Sequence, residues 1–235
     1  MTSLTKNDLR FVVQRLPRDI RDLLTQHHGN LFVGGGVIRA IVAGEEPKDI
    51  DLFGADAGKL HLIAELFAKD RPGARVHTSK NAITVITPNR LPVQFITRWT
   101  FSKGYELLRS FDFTVCQAVV WRSGNQSNSR WESARGDSFY VDLAGRRLVY
   151  TNPVREEEAG GSLLRVLKYV KRGYSIQVSS MVDVIGRLTT AMETEPRLKG
   201  LPRAAALDIL LREVDPMLVV DGFDVVDDHE PIEGE

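Results

Sequence analysis

The stretch Leu31–Phe53, LFVGGGVIRAIVAGEEPKDIDLF, constrains this chain more tightly than any other. A short apolar run, Leu31-Phe32-Val33, ends at three glycines, which reads as a buried strand entering a turn. Val37–Val42 is apolar enough for a short helix, closed by Gly44. Asp49–Phe53 then alternates polar and apolar residues, the pattern of a half-buried strand. Residues i and i+2 of a strand share a face, so Asp49 and Asp51 present their carboxylates together while Ile50 points into the core.

Neighbouring carboxylates repel unless a cation offsets their charge. Mg²⁺ prefers such hard oxygen ligands, and Lys48 adds positive charge just upstream. Gly34 and Gly35 let the backbone approach a phosphate closely, and the helix beginning near Val37 turns its N-terminus to the same place. Phosphate and metal therefore converge, as phosphoryl or nucleotidyl transfer requires, because that chemistry rests on positioning and charge stabilisation. The glycines are not a Walker A loop, since no Gly-Lys-Ser/Thr follows. Taken singly, an Asp-x-Asp or a triple glycine is an ordinary surface feature. The specificity lies in their order.

Around this centre, Asn7–Leu16, Arg18–His28 and Lys59–Lys69 carry helical spacing, with Pro17 separating the first two. Arg75–Thr78, Ala82–Thr87, Pro92–Thr97 and Phe113–Trp121 read as strands, and Ser102–Ser110 as a helix. The polar segment Arg122–Gly136 reads as a loop, and Phe139–Val141 with Arg147–Tyr150 as a closing hairpin around Ala144-Gly145. Helices are expected over Ser162–Tyr174, Ser179–Thr194 and Arg203–Arg212. The order is helices, a mixed sheet, then helices. It predicts an α+β catalytic domain over residues 1–155, a small helical region over 156–220 and an acidic, disordered tail over 221–235.

That tail holds seven acids and no Lys or Arg; without it the chain has 31 basic and 24 acidic residues, a net +7. A basic body suits a polyanionic partner such as a nucleotide or nucleic acid. No apolar run approaches the roughly 20 residues that span a bilayer, and the N-terminus lacks a secretory h-region. These features predict a soluble, cytoplasmic protein with no membrane partner. The single cysteine, Cys116, excludes an internal disulfide and is expected to be a buried apolar residue. Trp99, Trp121 and Trp131 offer planar rings for base stacking, although core or rim packing is the commoner use.

The Leu31–Phe53 signature resembles that of the tRNA CCA-adding enzymes and bacterial poly(A) polymerases, members of the DNA polymerase β-like nucleotidyltransferase superfamily. Gly34, Gly35, Arg39, Gly44, Asp49, Ile50 and Asp51 match it. Phe111–Val115 resembles a second family segment through Asp112, Phe113 and Thr114. Leu163–Ile176 resembles a basic family helix, with Arg165, Lys168 and Arg172 near its cationic positions. The chain departs from the family at Ala40, where Asp is usual, and at Ser110-Phe111, where Arg-Arg is usual, with Arg109 one residue earlier. Gln94 stands near a usual acid.

The resemblance implies a polymerase β-like mixed sheet and two-metal nucleotidyl transfer, with Asp49, Asp51 and Asp112 as catalytic metal ligands for Mg²⁺. It implies Gly34, Gly35, Arg39, Lys48, Arg109, Arg165, Lys168 and Arg172 as contacts to an NTP (ATP, CTP or both), and an RNA acceptor such as a tRNA 3′ end. Nucleotidylation of a protein or small molecule, and a catalytically inactive nucleotide-binding module, are the alternatives.

Overall fold

The computed structural model describes residues 2–124, 128–153 and 159–212. The expected acidic tail and the junction near residue 155 lie outside them.

Two helices open the chain, α1 (Lys6–Arg15) and α2 (Arg18–Gln26). Thr5 caps the first by accepting a hydrogen bond from the Asp8 amide at 3.1 Å, and Pro17 separates the pair because a proline cannot continue the helical ladder. Strand β1 (Leu31–Gly34), α3 (Gly36–Ala43) and β2 (Ile50–Gly54) follow, with left-handed Gly44 ending α3. Next comes α4 (Ala57–Lys69), capped by Asp56, whose carboxylate accepts from the Lys59 amide at 2.7 Å. Strands β3 (Arg75–Thr78), β4 (Ala82–Ile86) and β5 (Val93–Ile96) lead to the short α5 (Gly104–Leu108).

The second half holds β6 (Ala118–Ser123), β7 (Arg130–Arg135), α6 (Phe139–Ala144), β8 (Arg147–Leu148), α7 (Ala159–Lys171), β9 (Ser175–Ile176), α8 (Val178–Thr194) and α9 (Arg203–Arg212). Seven strands form one mixed sheet in the order β3-β4-β5-β2-β1-β6-β7. Its β2–β5 pair is parallel, and the other described pairs of that sheet are antiparallel. This is the expected α+β architecture.

One face of the sheet, through Val33, Ile50, Leu52, Val93, Phe95 and Val120, packs into the main core beneath α1–α4. The other face, through Phe32, Phe53 and Val119, meets Leu107 and Leu108 of α5 in a smaller cluster. Val166 and Tyr169 of α7 join the main core, while α7, α8 and α9 share a separate cluster around Leu188, Leu198 and Leu210. Among the described residues no helix is long and apolar enough to cross a membrane.

Three local expectations are corrected. Arg122–Ser123 and Arg130–Arg135, expected within a loop, are strand: β6 and β7 pair from Ala118↔Arg135 to Ser123↔Arg130. Strand β7 is an outer strand on which Arg130, Trp131, Glu132 and Arg135 keep exposed surface, so its sequence is polar, and Trp131 lies against the Arg122 guanidinium at 5.1 Å. Residues 139–150 form no hairpin. Phe139 and Leu143, one helical turn apart, are buried together on α6, and β8 pairs in parallel with β9. The expected strand from Phe113 begins instead with a 3₁₀ turn over Thr114–Cys116, where the Thr114 hydroxyl donates to buried Asp142 at 2.7 Å.

Arg39 on α3 is 1% exposed. It pairs with Glu45, donates to the Tyr174 hydroxyl at 3.0 Å and lies against the rings of Tyr169 and Tyr174. A buried cation stripped of its carboxylate is expensive. Glu45→Ala is therefore expected to cost about 3 kcal/mol, a fall in melting temperature of roughly 6–12 °C. Arg39→Met, which removes the charge itself, should cost less. Thermal and urea unfolding of the two variants check this ordering.

Candidate active site

The antiparallel register of β1 and β2 places Gly34 opposite Asp51. The parallel register of β2 and β5 places Asp51 opposite Gln94. Strand β2 begins at Ile50, whose amide donates to the Pro92 carbonyl at 2.9 Å, so Asp49 stands one residue before it. Asp49 and Asp51 nevertheless line one cleft, and Ile50 is fully buried on the opposite side. Gly35, Gly36, Gln94, Asp112, Arg165 and Lys168 also line that cleft. The structure thus gathers Asp49, Asp51, Asp112, Gly35, Arg165 and Lys168 from the residues expected on sequence grounds.

Gly34 is set back from the cleft, beneath Phe111. A β-carbon on Gly34 would meet the Phe111 ring at 2.9 Å, and one on Gly35 at 3.0 Å. Gly35 has φ +74° and ψ −128°, a conformation in effect reserved for glycine. Gly36 differs: a β-carbon there would meet nothing within 4 Å, and it is the first residue of α3. The Gly35 amide donates to the Ala118 carbonyl at 3.0 Å, so the open approach to this turn is at Gly36, at the positive end of a helix. Phe111 lies over Gly34 and Gly35 and itself lines the cleft.

Asp112 is 3% exposed and its carboxylate accepts from Ser162 Oγ at 3.1 Å and from Arg165 at 2.9 Å. Ser162 and Arg165 stand three residues apart on α7, so one helical face clamps this carboxylate. Among the described residues no three His, Cys, Asp or Glu side chains gather closely enough to hold a metal alone. Asp112 thus shares the cleft with Asp49 and Asp51 without completing a three-carboxylate cluster.

Lys168, one turn beyond Arg165, lies within the field of both aspartates. Burial lowers the pKa of its ammonium from the ordinary lysine value; Asp49 and Asp51 pull it upward, and Arg172 and Arg165 push it down. Arg172 is close enough to act on Lys168 but does not line the cleft. Lys48 and Arg109 are exposed outside the lining, and Arg39 is buried beneath it.

Two carboxylates and one neighbouring ammonium leave a surplus of negative charge on hard oxygen donors, with an amide beside them at Gln94. This donor set fits Mg²⁺, which is commonly held by one or two carboxylates together with substrate phosphates. Gly36, Gln94, Ser162, Asn81 and Trp99 stand at or beside the cleft without having been expected there. Gly36 was visible as the third glycine of the run, Gln94 as a residue standing near a usual acid, and Trp99 as a planar ring that could stack; Ser162 and Asn81 carried no signal of their own.

This fold is shared with solved structures of CCA-adding enzymes. The Thermotoga maritima CCA-adding enzyme, solved in complex with tRNA, superposes with a TM-score of 0.54 at 18% identity over 90% of this chain and 52% of its own. A CCA-adding enzyme in complex with ATP gives 0.55 at 17% identity over the same shares. The chain spans about half the length of these solved structures. No curated protein matches it. The family model of the Gabija anti-defense 2 proteins matches residues 3–146, and the chain belongs to that family.

The glycine turn gives a further prediction. Gly35→Ala should cost on the order of 1–3 kcal/mol because of its backbone conformation. Gly36→Ala should leave stability within about 1 kcal/mol, since alanine favours a helix and space is open, yet weaken nucleotide binding. Urea unfolding beside calorimetric titration with a non-hydrolysable NTP separates these effects. Unchanged nucleotide affinity in Gly36→Ala would remove that backbone from the phosphate site.

Proposed function

We propose that this protein is a metal-dependent nucleotidyltransferase of the polymerase β-like type, transferring an NMP from ATP or CTP to the 3′ hydroxyl of an RNA. The observation that carries this reading is the convergence of the Gly35-Gly36 turn, Asp49 and Asp51, and Lys168 on one cleft. The basic composition of Met1–Val220 and the CCA-adding fold support RNA as the acceptor.

In this reading the Gly36 amide, at the N-terminus of α3, receives the triphosphate, and Lys168 neutralises part of its charge. Asp49 and Asp51 hold Mg²⁺, with the Gln94 amide beside them. The metal, when bound, supplies the charge compensation that lets two carboxylates and a polyphosphate share one place. The acceptor oxygen bonds to the α-phosphorus as the bond to the bridging oxygen breaks. Pyrophosphate leaves with that electron pair, and the hydroxyl proton passes to solvent. Asp112 acts by holding Arg165 and α7, which sets the height of Lys168 over the aspartates.

The family description points to a second acceptor, a component of the Gabija defence itself. One assay addresses both: Mg²⁺, each labelled NTP, total tRNA and the proteins of that defence. Label on RNA supports the first acceptor and label on protein the second. Asp49→Asn/Asp51→Asn is expected to reduce either to background while keeping its melting curve. Full activity in that variant would refute nucleotidyl transfer at this site. Lys168→Met is expected to raise the KM for NTP roughly tenfold or more, given about 1.5–3 kcal/mol for a hydrogen bond to a charged group. An unchanged KM would place the triphosphate elsewhere.

A further inference from the structure

The cleft crosses the sheet in a definite order. Gly35 and Gly36 close it at β1, Asp49 and Asp51 floor it at β2, and Gln94 continues the floor on β5. Further along β5, past its end at Ile96, lies Trp99, with Asn81 near it just before β4. Chemistry changes along this line, from a helix N-terminus and carboxylates to an aromatic ring and an amide.

This far end is a built unit. The Asn81 carbonyl accepts from the backbone amides of Thr97 at 3.0 Å and Arg98 at 3.1 Å. Its side-chain oxygen accepts from the Arg98 guanidinium at 2.9 Å, which orients the amide. The same guanidinium lies over the Trp99 ring at 5.1 Å. Arg98 thus fixes both a hydrogen-bonding edge and a stacking face. Asn81 is 7% exposed, Trp99 is half-buried, and Lys80 stands exposed beside them.

Displacement at phosphorus is in line, so the acceptor oxygen enters opposite the departing pyrophosphate. With the polyphosphate drawn towards Gly36, the acceptor must enter from the Gln94 side. We propose that Trp99 and Asn81 form the acceptor subsite, which takes the 3′-terminal nucleobase of a single-stranded RNA. Trp99 stacks on the base, Asn81 reads its edge, and Arg98 with Lys80 faces the adjoining backbone phosphate. The proposal rests on the nucleotidyl-transfer reading and adds to it the direction of the cleft.

The test is fluorescence anisotropy with a short labelled oligoribonucleotide bearing a free 3′ hydroxyl, beside calorimetric titration with a non-hydrolysable NTP. Trp99→Ala is expected to weaken RNA binding roughly 5- to 100-fold, the range of one lost base stack, and to leave NTP affinity unchanged. Trp99→Phe should retain most RNA affinity. Trp99 also packs beside the α5 cluster. Asn81→Asp therefore serves as a nearly isosteric second probe; it keeps an acceptor for Arg98 and should still weaken RNA binding.

Wild-type RNA affinity in both Trp99→Ala and Asn81→Asp, or no RNA binding by the unaltered protein, would overturn the subsite. Equal loss of NTP and RNA affinity would also overturn it, by placing Trp99 under the incoming nucleotide. Transfer surviving in Asp49→Asn/Asp51→Asn would instead refute the underlying reading, whatever the binding data show.

Discussion

The site depends first on two strand registers. Gly34 faces Asp51 across β1–β2, and Asp51 faces Gln94 across β2–β5. The first pairing sets a turn beside a carboxylate, and the second sets an amide on its other flank. Neither requires a long or unusual element: β1, β2 and β5 are four, five and four residues long. Burial of Val33, Ile50, Leu52, Val93 and Phe95 on the opposite face holds these registers, because slipping by one residue would drive an aspartate into the apolar core.

A second constraint comes from α7, which bridges core and cleft. Val166 and Tyr169 anchor it in the main core, while Ser162 and Arg165 clamp Asp112 and Lys168 reaches the two aspartates. The helix belongs at once to hydrophobic packing and to the electrostatics of the cleft. Its clamp also brings Asp112 and Arg165 together as an internal ion pair. The charges then shared out within the cleft are those of Asp49, Asp51 and Lys168.

Much of this was legible in the residues. Strand, turn, helix and strand between Leu31 and Phe53 follow from apolar runs, glycine placement and alternation. The shared face of Asp49 and Asp51 follows from strand periodicity. What the sequence concealed was the partnership of each polar group. Arg39 and Arg165 look alike as basic motif positions, yet one is buried against Glu45 and two tyrosines while the other meets Asp112 at the cleft. Gly34 and Gly36 look alike as turn glycines, yet a ring packs over one and the other faces open space. Strand β7 and helix α6 were hidden because their partners lie elsewhere in the chain: β7 takes its backbone pairing from β6, and α6 is tied by the Asp142 side chain to the 3₁₀ turn before β6.

Ile50 stands between the two aspartates with no exposed surface. It ties the spacing of the carboxylates to the packing of the sheet, so the two cannot vary separately. Residues Gly44–Lys48, between α3 and β2, lie ahead of this pin. Their length can drift without altering the distance from one aspartate to the next. A single residue added between Asp49 and Asp51 would be different in kind: it would exchange which side chains are dissolved in the core and which face the cleft. The spacing of the two carboxylates is therefore inherited from a hydrophobic contact on the far side of the same strand, and the least polar residue of the motif acts as its ruler.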